Sequence, residues 1–157
     1  MIKRRTWTTA VLVVMMSALV AAGAALATGV TTAKLSAKMD VRQVVPQKPK
    51  GNVARATGTF TGTLTGKRTN PRWKLAWRVT YRNLDHPSIV VADIHYGKRG
   101  KFGPVIVRLC GSCKSGQHGV VNVKSSWVDA IKSGDSFITL ITGRNPNGEI
   151  RGQIGAR

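Results

Sequence analysis

Acidic residues are scarce in this chain: five aspartates and a single glutamate, Glu149, stand against 25 lysines and arginines in 157 residues. One glutamate excludes a glutamate pair for glycoside hydrolysis, so any carboxylate pair would have to draw on aspartate. Histidine is rare too, and His86, His95 and His118 are the only side chains that ordinarily titrate near neutrality. Two cysteines are too few for a four-cysteine zinc site within one chain. There is no G-x-S-x-G elbow, Walker loop or dinucleotide fingerprint. These absences leave no residue to nominate as a catalyst and imply no cofactor.

What the chain has in quantity is positive charge, formally +19. Such an excess favours anionic partners and resists self-association. Outside a cell these are surface polymers, phospholipid head groups, acidic polysaccharides or proteins, and nucleic acid would be held only non-specifically.

The address is read from the N-terminus. Lys3, Arg4 and Arg5 precede a largely apolar or small-residue stretch, Ala10 to Ala27, ending in Ala25-Leu26-Ala27. That is the layout of a signal peptide over residues 1–27. Cleavage predicts a secreted or extracytoplasmic protein with no membrane contact, and takes the net charge from +19 to +16. The alternative is an N-terminal membrane anchor, since about 18 apolar residues just span a bilayer. Residues 28–55 mix cations with Pro46, Pro49 and Gly51 and carry few large apolar residues. They are expected to form a flexible basic leader, too poor in burial to offset ordering, with a short strand near Val41 to Val45 as the alternative.

From Ala56 the pattern is that of strands. Thr57, Thr59, Thr61, Thr63 and Thr65 alternate with Gly58, Phe60, Gly62, Leu64 and Gly66, giving a threonine face and a Phe/Leu face. Trp73, Leu75, Trp77, Val79 and Tyr81 alternate with Lys74, Ala76, Arg78, Thr80 and Arg82. The first set predicts a core face. The second places Lys74, Arg78 and Arg82 in a stripe, each about 13 Å from the next at strand rise. With Lys98, Arg99 and Lys101 in the following glycine-rich turn, these six cations are the candidate ligand-binding residues. The competing reading is a solvated, edge-protecting face.

Further strands are expected over 89–96, 105–109, 120–123 and 137–142, with a return from Glu149 to Ile154 after the Asn145-Pro146-Asn147-Gly148 turn. One short helix is expected, with Ser126 as N-cap, Asp129 three residues on, and Gly134 as its stop. Together these predict an all-β, antiparallel two-sheet sandwich of Greek-key or immunoglobulin-like type with one short helix over 56–157.

Cys110 and Cys113 are expected to form a local disulfide in an exported chain, with a redox dithiol as the rival. Asp93 and His95, two apart on one strand, are expected to serve structural hydrogen bonds, with a metal site as the rival. Together the two rivals define an alternative reading: a metal- or redox-active exported enzyme. Glu149 is expected to pair with an arginine such as Arg151 or Arg144.

Several of these segments, in order, resemble the chordin-type CHRD domain family. They are Thr57-Gly58-Thr59-Phe60-Thr61-Gly62, Ile94-His95-Tyr96-Gly97, Gly103-Pro104-Val105-Ile106-Val107, Ala130-Ile131-Lys132-Ser133-Gly134 and Asn145-Pro146-Asn147-Gly148-Glu149-Ile150-Arg151-Gly152-Gln153-Ile154. The resemblance implies a secreted β-sandwich of the stand-alone, bacterial type. It also marks two departures. Where the family often has His-x-His the chain has Asp93-Ile94-His95. Where the family often has a Val-x-Val/Ile-His-Thr strand the chain has Thr139-Leu140-Ile141-Thr142. Both weaken a histidine-based metal role.

Overall fold

The computed structural model describes residues 29–85 and 90–157. The expected signal peptide, His86 and the first residue of the 89–96 strand lie outside the described residues.

Alternation builds the sheet. In β3 (Arg72–Arg82) the residues Trp73, Leu75, Trp77 and Val79 are buried while Lys74, Ala76, Arg78 and Arg82 are exposed. In β2 (Thr57–Gly66) Phe60 and Leu64 point inward and the threonines outward. The stretch read as a leader departs from expectation: Thr31–Asp40 is a ten-residue strand, β1, paired with β2 from Thr31↔Gly66 to Asp40↔Thr57. The physical reason is again period two. Ala33, Leu35, Ala37 and Met39 face the core, and Lys34 and Lys38 face solvent. A composition averaged over both faces hides such a pattern. Val44 and Val53 of the following segment are buried as well, so it is packed down rather than loose.

The remaining strands are β4 (Val90–Tyr96), β5 (Val105–Cys110), β6 (His118–Lys124), β7 (Ser136–Thr142), β8 (Ile150–Gln153) and the short β9 (Gly155–Ala156). They form one antiparallel sheet in the order β5-β4-β7-β8-β1-β2-β3-β6, with β9 on β1. The expected pair of separately bonded sheets is thus replaced by one continuous sheet. Its halves join at β1 through a narrow seam, Asp40↔Arg151 to β8 and Leu35↔Ala156 with Ser36↔Gly155 to β9. The end strands β5 and β6 approach each other, so the sheet nearly closes. The core between the halves holds Phe60, Leu64, Leu75, Ile94, Ile138, Leu140 and Ile150, all fully buried.

Helix α1 (Ser125–Ser133) buries Val128 and Ile131. Gly134 ends it at φ 84°, as expected. The start differs: Lys124 is the N-cap, with no side-chain cap bond, because β6 runs directly into the helix.

A candidate anion-binding face

The outer face of β1, β2 and β3 is built by the same alternation that fills the core. Register places Lys34 opposite Thr63 and Thr63 opposite Ala76; Ser36, Thr61 and Arg78 share the next row, then Lys38, Thr59 and Thr80, then Asp40, Thr57 and Arg82. The threonine row of β2 therefore forms a floor between two lines of cations: Lys34 and Lys38 on β1, and Lys74, Arg78 and Arg82 on β3. At strand spacing the two lines stand about 10 Å apart. Reading 28–55 as a leader leaves Lys34 and Lys38 out of the site, although they stand four residues apart, the spacing of the β3 cations.

Two hollows lie along this floor. One, of about 550 Å³, is bordered by Lys38, Thr59, Thr80 and Arg82. The other, of about 500 Å³, is bordered by Lys34, Thr61, Thr63, Arg78, His118 and Arg157. Asp40 and Arg42 also border the first hollow. Burial raises the pKa of Asp40, but bonds from the Gln43 amide and the Arg42 backbone, together with the Arg42 charge, outweigh this and hold it below the usual value. Arg42 lies 3.6 Å from it. Among the described residues, Arg82 and Arg78 bond neutral partners: Arg82 donates to the Thr57 hydroxyl at 3.0 Å and Arg78 to the Gly116 carbonyl at 3.2 Å. Cations without carboxylate partners retain their field for an incoming anion.

Lys98, Arg99 and Lys101 are not part of this face. They cap the β4–β5 turn and border neither hollow. Three side chains from beneath hold that turn: Arg151 Nη2 donates to the Lys98 carbonyl at 3.2 Å, Gln153 Nε2 to Gly97 at 2.8 Å, and His95 Nδ1 to Gly103 at 2.9 Å. The Phe137 ring lies between two of them. His95 stacks on it at 4.9 Å and the Arg151 guanidinium rests 3.4 Å from its centroid. Burial, reinforced by the Arg99 charge, lowers the Arg151 pKa to about 10. Burial also lowers that of His95, and its bond to Gly103 and the Asp93 charge only partly oppose this.

Asp93 is engaged through both carboxylate oxygens, by Arg108 Nε at 3.0 Å and Nη2 at 3.1 Å. Asp93 and His95 thus share a face, and each has a structural hydrogen bond. Among the described residues no three His, Cys, Asp or Glu side chains converge to hold a metal ion. Cys110 and Cys113 are joined in a disulfide at the turn after β5. Tyr81 donates to the Cys113 carbonyl at 2.8 Å, and Val79 exchanges backbone bonds with Gly116 and Gln117, so this turn is bound to β3.

Glu149 pairs with no arginine among the described residues. It is wholly buried and accepts from the Asp85 backbone at 2.6 Å, the Thr142 hydroxyl at 2.7 Å and the Asn145 amide at 3.2 Å. Arg144 bonds Asp85 instead, at 2.8 Å. The alternation of β8 put Glu149 and Arg151 on a wet face; in the fold the neighbouring loops cover both.

A family model described as CHRD domain matches residues 19–154. Comparison with curated proteins returns no match, and neither does comparison with solved structures.

Proposed function

The chain belongs to the CHRD domain family, and on that premise we propose that it is an exported, non-enzymatic module that binds anionic surface polymers or proteins through the outer face of β1, β2 and β3. The observation that carries this reading is the pair of cation lines flanking the threonine floor, with the two hollows between them. An extended polyanion laid along the strands meets a cation every four residues on either side, while hydroxyls below it supply hydrogen bonds to sulfate, phosphate or sugar oxygens. Export is supported by the N-terminal apolar stretch with its Ala25-Leu26-Ala27 end and by the paired cysteines.

The test is retention of the purified protein on immobilised dextran sulfate and polyphosphate across a salt series. Binding should fall steeply with salt, and Lys74→Glu with Arg78→Glu and Arg82→Glu should weaken it strongly at low salt. Salt-insensitive binding, or no retention at low salt, defeats the proposal.

A further inference from the structure

The β4–β5 turn is separate from the anion-binding face, and its composition differs. Phe102 is 64 % exposed, Val105 48 % and Tyr96 42 %, three of the five large hydrophobic side chains most exposed among the described residues. Tyr96 leans on Trp127 of α1, ring centroids 5.8 Å apart, while the Phe102 ring lies 6.4 Å from that of His95. Lys98, Arg99 and Lys101 precede Phe102 in the same turn, and no acidic residue occurs between Tyr96 and Val107. Apolar side chains presented amid cations at a loop tip match the two needs of a bilayer contact, burial in the acyl boundary and attraction to anionic headgroups.

The tip is also held in shape. Lys101 N donates to Lys98 O at 3.0 Å, Tyr96 N to Pro104 O at 3.0 Å and Gly97 N to Asp135 O at 2.9 Å. Gly103 packs so closely on the Tyr96 carbonyl that no side chain fits there. From below, the buried Arg151 and His95 and the half-buried Gln153 bind its carbonyls, although Arg151 Nη1, His95 Nε2 and Gln153 Oε1 are buried with no hydrogen-bond partner among the described residues. Burying an arginine with no carboxylate is costly, and here it fixes the loop that carries Phe102. A braced loop presents an apolar wedge without paying ordering entropy on contact.

We propose that the Lys98–Phe102 tip is a docking site for anionic phospholipid bilayers, with Phe102 entering the interface and Lys98, Arg99 and Lys101 meeting the headgroups. This departs from the sequence-based expectation of no membrane contact after cleavage. A soluble polyanion offers no apolar phase for Phe102, which is why a lipid surface is favoured over the polymer expected at the β1–β2–β3 face.

The test is co-sedimentation of the purified protein with phosphatidylcholine vesicles, with and without phosphatidylglycerol. Parent and variants share the same N-terminal apolar stretch, so the readout is the difference in affinity between them. Phosphatidylglycerol should strengthen binding of the parent, and Phe102→Ser should weaken it about tenfold or more. Lys98→Glu with Lys101→Glu should weaken it further, about fivefold or more for each charge removed. Tryptophan introduced by Phe102→Trp should be quenched by lipids brominated in the acyl chain beyond the quenching of the parent. The proposal is overturned if Phe102→Ser binds vesicles like the parent, or if Phe102→Trp shows no added quenching. It is equally overturned if Phe102→Ser loses as much affinity for soluble dextran sulfate, which would assign the tip to a polymer.

Discussion

Thr142 donates its hydroxyl to Glu149 at 2.7 Å in a fully buried hydrogen bond. The two residues flank the Asn145-Pro146-Asn147-Gly148 turn, and Asn145 joins them with an amide bond to the same carboxyl oxygen at 3.2 Å. Asn145 also exchanges two bonds with the Lys50 backbone, at 2.7 and 3.2 Å. The only glutamate of the chain is therefore the hub that ties the 46–53 segment, the end of β7 and the chain after β3 together.

Glu149→Ala should leave the Asp85 amide, the Thr142 hydroxyl and the Asn145 amide without their acceptor. Each buried unsatisfied group costs about 1–3 kcal/mol, so a loss of about 3 kcal/mol or more is expected in urea unfolding. Glu149→Gln keeps one acceptor and should lose less. Equal stability of the alanine variant and the parent would refute the assigned role.

The two cation lines should act together. Lys34→Glu with Lys38→Glu should reduce retention on dextran sulfate about as much as Lys74→Glu with Arg78→Glu, and should lower the salt slope by a similar amount. Lys98→Glu with Arg99→Glu should change it far less. A loss confined to the β3 pair would show that β1 takes no part.

His95 predicts acid sensitivity. Its pKa in the fold lies below the ordinary 6.5 because burial disfavours the imidazolium. The unfolded chain then binds a proton before the native chain does, so stability is complete above pH 6.5 and falls as pH drops below it. The slope contributed is at most about 1.4 kcal/mol per pH unit. His95→Gln keeps a donor for Gly103 and removes the titration. Thermal unfolding of parent and variant at pH 7.5 and 5.5 should show the smaller acid shift in the variant, and identical shifts would contradict this.

Reducing Cys110–Cys113 should cost little globally, since closing so short a loop constrains the unfolded chain by only about 2 kcal/mol. The local effect should be larger. The turn is bound to Val79 and Tyr81 of β3, so hydrogen exchange at Gly116 and Gln117 should rise on reduction. Unchanged protection there would show that the β3 contacts suffice without the bridge.

The core face of β3, the threonine face of β2, the final turn and strand, and the Gly134 helix stop were legible because each depends on neighbours in sequence: period two for strands, left-handed backbone for the glycine stop. The stripe of Lys74, Arg78 and Arg82 followed from the same alternation. β1 was missed because Ala33, Ala37 and the lysines between them read as low apolar content, and small side chains become core only against Phe60 and Leu64 across the sheet.

Sequence by itself determined the all-β class, the basic excess, the faces of individual strands and the family pattern, all of which follow from composition and local periodicity. Tertiary structure alone decided three further things. The strands form one nearly closed sheet joined at β1. Lys34 and Lys38 stand across the threonines from Lys74 and Arg78, while the 98–101 cations stand apart on a braced tip. Glu149 takes hydrogen bonds rather than an arginine. These depend on strand register and on loops folding over side chains far away in the chain, and no local pattern encodes which distant donor reaches a buried carboxyl group.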